Sequence, residues 1–280
     1  MATVSALMSL YRGTPAAELV SALDSLLGQT RPADEIVLVY DGPVAEDVDE
    51  VVRGYVENNP GVVRVVNCEV NRGLGPALQS GLETIESDYV ARLDTDDIAA
   101  PERLAVQLAY LESHPDIAAL GTAVAEFAEE SELGGAPESE LRVRALPETH
   151  EEIARYARIN SPLNHPSVML RTADVLAVGG YAGVHFMEDY DLWARLIAAG
   201  KKLHNLPEPL TYFRVSPAQF ERRTGRDMFA AERQMQANLV SYGLVGPARA
   251  RVNFAVRSAY RLLPKAVLGR VYAKLFHREG

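Results

Sequence analysis

Cysteine is almost missing: Cys68 is the only one among 280 residues. No disulfide can form within the chain, and a reducing compartment is the simplest fit. Long apolar runs are missing as well. No stretch approaches the roughly 18 residues that cross a bilayer, and the opening Met1-Ala2-Thr3-Val4 lacks the basic-then-apolar layout of a secretion signal. Basic residues fall short of acidic ones, 28 against 38, for a formal charge of −10. That deficit argues against nucleic-acid binding by the surface as a whole. Together these absences predict a cytoplasmic protein.

What is present is an ordinary globular composition, 48% apolar, and enough chain for one large α/β domain with an extension. Residues 3–10 read as a strand with Val4, Ala6, Met8 and Leu10 on one face. Thr14-Pro15 then predicts a helix start with Thr14 as cap, and Leu19, Leu23, Leu26 and Leu27 recur at helical spacing up to Gly28. Ile36-Val37-Leu38-Val39 is a short continuous apolar run, which marks a parallel strand covered on both faces. A helix through Val48, Val52 and Val56, a strand at residues 62–66, and a helix through Leu78, Leu82 and Ile85 follow. A fourth strand at residues 89–93, a helix from Pro101 and a fifth strand at 117–121 continue the alternation. Such alternation predicts a mostly parallel, Rossmann-like sheet with helices on both faces. Ligands of these sheets bind beyond the carboxyl ends of the strands, where Tyr11, Asp41, Arg72 and Asp94 to Asp97 all fall.

The fourth strand ends in Leu93-Asp94-Thr95-Asp96-Asp97. Alternation along an extended segment places Asp94 and Asp96 on one side, and carboxylates that close repel unless a cation or donors stand between them. Hard oxygen ligands of this kind suit Mg²⁺ or Mn²⁺ and leave positions open for phosphates. The plainer reading is an acidic turn in which Asp97 caps the next helix. Residues 126–152 are glutamate-rich, with Gly134-Gly135 and little periodicity, and predict a solvated excursion or loose hairpin. Further on, Leu192, Leu196 and Ile197 predict an amphipathic helix, so Glu188 and Asp189 occupy a first turn, where the helix dipole favours negative charge. Capping explains them as well as catalysis does. Trp193, beside the buried face, reads as core.

Six stretches in order resemble glycosyltransferase family 2, the inverting enzymes of the GT-A fold. They are Ser9-Leu10-Tyr11-Arg12-Gly13, Ser25-Leu26-Leu27-Gly28-Gln29-Thr30 with Glu35 to Gly42, Asn71-Arg72-Gly73, Asp94-Thr95-Asp96-Asp97 with Pro101-Glu102-Arg103-Leu104, Asn164-His165-Pro166-Ser167-Val168, and Glu188-Asp189-Tyr190-Asp191-Leu192-Trp193. Each is weak alone; the order and spacing over residues 3–215 make them specific. The likeness is greatest to bacterial enzymes of exopolysaccharide and capsule assembly. Two departures are Tyr11-Arg12-Gly13, where many relatives have Tyr-Asn-Gly, and Tyr40-Asp41-Gly42, where an acidic pair before the glycine is usual.

The resemblance implies a catalytic domain over residues 1–215 and transfer of a sugar from a UDP- or dTDP-sugar to a hydroxyl of a glycan or polyprenyl-linked saccharide. Leu10, Tyr11, Asp41, Arg72, Asp94, Thr95 and Asp96 would hold the donor nucleotide, with Asp41 accepting from the imide N–H of the base and Asp96 binding a divalent metal, Mg²⁺ or Mn²⁺. Asp189 would be the general base and Glu188 its orienting partner. His165 is either a substrate-side residue or a structural donor. Arg214, Arg222 and Arg223 are either a solvated cluster or phosphate ligands, the last two on a mobile loop at residues 216–226 that would close on the donor. Two other functions compete. A sugar nucleotidyltransferase would need a richer glycine and Arg/Lys loop after the first strand than Leu10-Tyr11-Arg12-Gly13-Thr14. An inactive nucleotide-sugar-binding protein would have no need of Asp96 and Asp189.

From Arg249 to Gly280 there are eight Lys/Arg residues and one acidic residue, Glu279. Val252, Ala255, Val256, Ala259, Tyr260 and Leu263 recur at helical spacing. After Pro264, Val267, Leu268, Val271, Leu275 and Phe276 do the same. Basic amphipathic helices favour anionic membrane surfaces, here the inner face of the membrane. Packing on the catalytic domain or a homodimer interface explains the pattern equally well.

Overall fold

The computed structural model describes residues 2–129, 132–133, 141–215 and 226–261. Three parallel strands come first: β1 (Val4–Leu10), β2 (Glu35–Asp41) and β3 (Val63–Cys68). They alternate with α1 (Ala16–Leu27), α2 (Glu46–Asn58) and α3 (Leu74–Leu82). β4 (Tyr89–Arg92) pairs parallel to β1 on the other side, and all four of its residues are buried. Next come β5 (Ile98–Ala99), α4 (Arg103–Ser113), β6 (Ile117–Phe127), β7 (Arg142–Arg144) and α5 (His150–Tyr156). β8 (Met169–Arg171), α6 (Thr172–Ala177), α7 (Glu188–Ala198), β9 (Lys202–Arg214), α8 (Arg226–Ser241) and α9 (Pro247–Arg261) complete the order.

One sheet contains all nine strands, in the order β3-β2-β1-β4-β8-β6-β9-β5 with β7 paired to β6. The sheet is mixed: β8 runs antiparallel to both β4 and β6, while β6 and β9 are parallel to each other. Residues of β1 and β2 alternate between two cores. Val4, Ala6, Met8, Ile36 and Leu38 pack with α1, α2 and α4, while Leu7, Val37 and Val39 pack with α3 and α7. This two-faced burial explains the unbroken apolar run of β2. β6 is longer than the five residues predicted, and β7 supplies the hairpin predicted within 126–152.

Two local expectations are corrected. Thr14 does not cap α1; Pro15 precedes the helix without a side-chain cap, and the Thr14 hydroxyl accepts from Tyr11 N at 3.1 Å, tightening the loop after β1. Asp97 does not cap α4, whose Glu102 also caps nothing. Its carboxylate is instead tied to β9.

A third core joins α7 to the C-terminal helices through Met187, Tyr190, Ala194, Met228, Met235 and Leu239. Asp191, fully buried on α7, accepts from Arg195 Nε at 2.8 Å, Asn238 Nδ2 at 2.7 Å and Tyr242 Oη at 2.9 Å. Removing one partner of a buried, hydrogen-bonded charge pair costs about 3–5 kcal/mol. Asp191→Ala is therefore expected to lower chemical-denaturation stability by about that much, and a loss under about 1 kcal/mol would contradict the role assigned to this carboxylate.

Candidate active site

The site forms at the carboxyl ends of β1, β2 and β4 and at the start of α7. After β1, Leu10 is fully buried and Tyr11 stands out, 42% exposed. After β2, Asp41 is buried, and its two oxygens accept from Arg72 N at 2.7 Å and Gly73 N at 2.9 Å. Gly42 takes φ +76°, and a Cβ there would lie 2.6 Å from Asn71 N. Asp41 therefore shapes the loop carrying Arg72, whose exposed guanidinium makes one long contact, 3.5 Å, to Ser80 Oγ. A base-reading role for Asp41 has to use a second lone pair of an oxygen already bonded.

Beyond β4, the carboxylates of Asp94, Asp96 and Asp97 each bring an oxygen within 4.8 Å of the others. Thr95 between them is buried. Asp97 is fully buried; one of its oxygens accepts from Arg214 N at 2.8 Å and the other has no hydrogen-bond partner among the described residues. Burial, then the charges of Asp94 and Asp96, push its carboxyl well above the usual range. Arg214 also donates from Nε to Asp96 O at 2.9 Å, and its guanidinium lies 4.6 Å over the Phe127 ring. The end of β9 is thus laced to the acidic turn. An orphaned buried oxygen beside two further hard oxygen donors fits a divalent cation such as Mg²⁺ or Mn²⁺, which relieves the mutual repulsion.

Beneath the turn lies Arg92, whose side chain is 1% exposed. It donates to Asp94, and its Nε and Nη1 have no hydrogen-bond partner among the described residues. Its positive charge acts on Asp94 and Asp97 and also on Tyr181, His165 and Glu188. The acidic turn and the start of α7 are electrostatic neighbours around this buried guanidinium. Arg103 Nη2 supports it by donating to Arg92 O at 2.6 Å.

At the start of α7, Glu188 is 9% exposed and Asp189 half-buried. Asp189 Oδ2 accepts from Ser161 Oγ at 3.1 Å. A Cβ on Gly75 would lie 3.0 Å from Glu188 Cβ, so α3 and the Arg72 loop sit directly against the acidic pair. Phe186, two residues before Glu188, holds φ 64°. Strained backbone of this sort clusters at functional sites. His165 is set back from the carboxylates: its Nε2 pairs with Tyr181 Oη at 2.9 Å, and its ring packs edge-on against Trp193. Burial, then Arg92, lowers the His165 pKa well below its usual value, which keeps the ring neutral. Trp193 is fully buried core, as expected. Arg222 and Arg223, with the loop expected at 216–226, lie outside the described residues apart from Arg226 at the start of α8.

Burial, then Asp189, raises the Glu188 carboxyl to about 7 from 4.5. Between those two pH values the folded chain holds a proton that the unfolded chain releases, so this group's contribution to stability falls as pH rises through the window. Glu188→Gln should therefore flatten the decline in melting temperature between pH 5 and pH 8. Parallel profiles for variant and parent would contradict the burial argument.

Arg92, Ser161 and Tyr181 were not singled out from the sequence. Arg92 left a signal, a charge inside an apolar strand at the same alternation as Asp94 and Asp96. Ser161 left none.

The family model for glycosyl transferase family 2 matches residues 5–178. The chain belongs to that family. It is 38% identical over 270 residues to the amylovoran biosynthesis glycosyltransferase AmsE of Erwinia amylovora, covering 96% of this chain and 98% of that one. It is 29% identical over 277 residues to an Escherichia coli UDP-Gal:α-D-GlcNAc-diphosphoundecaprenol β-1,3-galactosyltransferase, covering 98% and 96%. Among solved structures, the mannosyltransferase PcManGT of Pyrobaculum calidifontis, in complex with GDP-Man and Mn²⁺, superposes with a TM-score of 0.64 at 17% identity, covering 98% of this chain and 80% of that one. The fold is GT-A, and the family 2 enzyme is a glycosyltransferase. Among the described residues no helix is long and apolar enough to cross a membrane.

Proposed function

We propose that this glycosyltransferase moves a sugar with inversion from a UDP- or dTDP-sugar to a hydroxyl of a glycan or polyprenyl-linked saccharide. The observation that carries this reading is the pairing of two acidic groups, Asp94/Asp96/Asp97 and Glu188/Asp189, around the buried Arg92. Residues 1–215 form the catalytic domain and residues 216–280 its extension. Asp189, held by Ser161, takes the proton from the acceptor hydroxyl as that oxygen attacks the anomeric carbon from the face opposite the leaving group. The carbon–oxygen bond to the diphosphate breaks, and its electron pair leaves with the phosphate oxygen. Glu188, largely shielded from water, orients Asp189 and the acceptor. Tyr11, Arg72 and Asp94 line the nucleotide side, with Leu10 and Thr95 buried beside them in the chain, and Asp41 holds the loop that presents Arg72. Arg214, joined to the acidic turn, faces the diphosphate.

Asp96, with Asp94 and Asp97 beside it, would hold Mg²⁺ or Mn²⁺. Bound there, the cation supplies Lewis-acid stabilisation of the charge developing on the departing nucleoside diphosphate. The Mn²⁺ in the PcManGT complex supports that assignment. The diphosphoundecaprenol-linked acceptor of the Escherichia coli relative supports a lipid-linked one here.

Attachment to the inner face of the membrane is part of the proposal. α9 docks with its polar side inward: Asn253 Nδ2 donates to Arg158 O at 2.7 Å, and Arg257 Nε to Glu232 Oε2 at 2.7 Å. The side carrying Val252 and Val256, 57% and 62% exposed, faces out beside the exposed Arg251. The remainder of the basic segment, 262–280, lies outside the described residues.

A thermal-shift panel of UDP-, dTDP- and GDP-sugars, each with and without Mn²⁺, tests the donor assignment. Stabilisation by one nucleotide class that grows with metal is expected. No shift with any of them would overturn it.

A further inference from the structure

A cavity of about 420 Å³ is lined by Arg155, Arg158, Leu244, Val245, Gly246 and Arg249. Three arginines converge here in a protein of net charge −10. None makes an ion pair among the described residues, although arginines elsewhere on this chain do so repeatedly. Glu152, whose carboxylate feels Arg155, is engaged with Thr149 in the capping box of α5.

Two of the three exposed arginines are held at Nε. Arg155 Nε donates to Glu151 O at 3.2 Å, and Arg249 Nε to Asn253 Oδ1 at 3.1 Å. The same Asn253 donates to Arg158 O at 2.7 Å, so one side chain fixes both walls of the cavity. The Nε atoms serve the framework, which leaves the terminal nitrogens of Arg155 and Arg249 and the whole Arg158 guanidinium for a ligand. α9 begins at this cavity with Gly246-Pro247, and the positive end of its dipole adds to the field. Planar, paired donors of this kind match phosphate oxygens.

Two connections narrow the ligand. Ser161, which donates to Asp189 at 3.1 Å, follows Arg158 by three residues, a reach of at most about 11 Å along the chain. Val252, the first residue of the exposed apolar stripe on α9, follows Arg249 by three residues, one helical turn away. Reactive carboxylate, anion site and apolar stripe are therefore joined in that order by short chain connections. A molecule with a hydroxyl, a charged phosphate group and an apolar tail has the same order of parts.

We propose that this arginine cavity is the subsite for the diphosphate of a prenyl-linked acceptor, its lipid running onto the Val252–Val256 side of α9. The proposal rests on the glycosyl-transfer reading above and assigns the acceptor a place that Asp96 and Arg214 do not occupy. Three guanidinium groups with a helix start suit the charge of a diphosphate better than that of a single phosphodiester headgroup.

The test uses the full-length chain and farnesyl diphosphate as probe, with EDTA present so that the acidic turn recruits no cation. Binding is read by calorimetry for the parent, for Arg158→Gln, and for Arg158→Gln with Arg249→Gln. The double variant is expected to bind roughly tenfold more weakly or worse, having lost two charge-assisted contacts, and the single variant to change in the same direction. The Arg158 guanidinium bonds to no other residue among the described residues, so that variant keeps the fold. A parallel arm measures sedimentation with phosphatidylcholine vesicles doped with phosphatidylglycerol. Loss of farnesyl diphosphate binding with vesicle binding retained supports the acceptor subsite. Unchanged farnesyl diphosphate affinity overturns it, and so does loss confined to the vesicle arm, which would make the cavity a headgroup site. UDP-sugar binding with Mn²⁺ is expected to be equal in all three proteins. Its absence from the parent would sink the proposed function without deciding the anion site.

Discussion

Asp189→Asn is expected to lower turnover by about two to four orders of magnitude, the usual worth of a positioned general base. Nucleotide and metal binding should stay within about twofold of the parent, since Asp189 belongs to neither the acidic turn nor the Arg72 loop. The substitution preserves shape and can still accept the Ser161 hydroxyl's hydrogen bond, so lost activity reports lost basicity rather than lost geometry. It also removes a negative charge that helps push the Glu188 carboxyl up to about 7. Glu188 should therefore ionise at lower pH in the variant, and any residual activity should carry that shifted profile. The measurement is the steady-state rate of nucleoside diphosphate release across pH 5 to 9. An active Asp189→Asn beside a dead Glu188→Gln would reverse the two roles.

Asp96→Asn is expected to abolish turnover and with it the metal-dependent part of nucleotide binding. Asp97 cannot replace it alone, because one of its oxygens already accepts from Arg214 N and only the other is open to the cation. Asp94 is partly committed to Arg92. Asp96 is half-exposed, and the bond from Arg214 Nε falls on its backbone carbonyl. Calorimetry with UDP, with and without Mn²⁺, reads the effect directly. The same metal dependence in Asp96→Asn as in the parent would contradict the assignment.

The parallel half of the fold was legible because the sequence there is governed by local periodicity. β1 and β2 carry apolar residues facing two cores, and α1 repeats its leucines on one face. The insertion of β8 between β4 and β6 was not legible. A three-residue strand has too little pattern to declare its partners, and pairing across about eighty positions is set by tertiary packing. Nor was α8 legible, since its buried Glu232 and Gln236 interrupt the apolar face, bond to each other and meet Arg257 and Asn253 of α9.

α9 is the instructive case. Its spacing was read correctly, but apolar residues at helical intervals imply an inward face only when nothing polar competes. Here Asn253 and Arg257 reach the Arg158 and Ile159 carbonyls and Glu232, so Val252 and Val256 turn out to solvent. In the site itself, spacing alone left Asp94 and Asp96 readable as an acidic turn and Glu188 and Asp189 as helix capping; the ordered resemblance to family 2 is what singled them out. Asp97 could not be assigned, since its tie to Arg214 spans 117 positions. Asp41 was read as a contact to the base, and its main visible work is internal, holding the backbone of Arg72 and Gly73.

Proton NMR of the sugar released when water replaces the acceptor tests the central claim most directly. The enzyme is incubated with Mn²⁺ and the α-linked nucleotide sugar that stabilises it most, and the anomeric signal is followed before mutarotation scrambles it. Early appearance of the β-anomer, absent in Asp189→Asn, is the predicted result. An α-anomer appearing first would contradict inversion at this site, and with it the role given to Asp189.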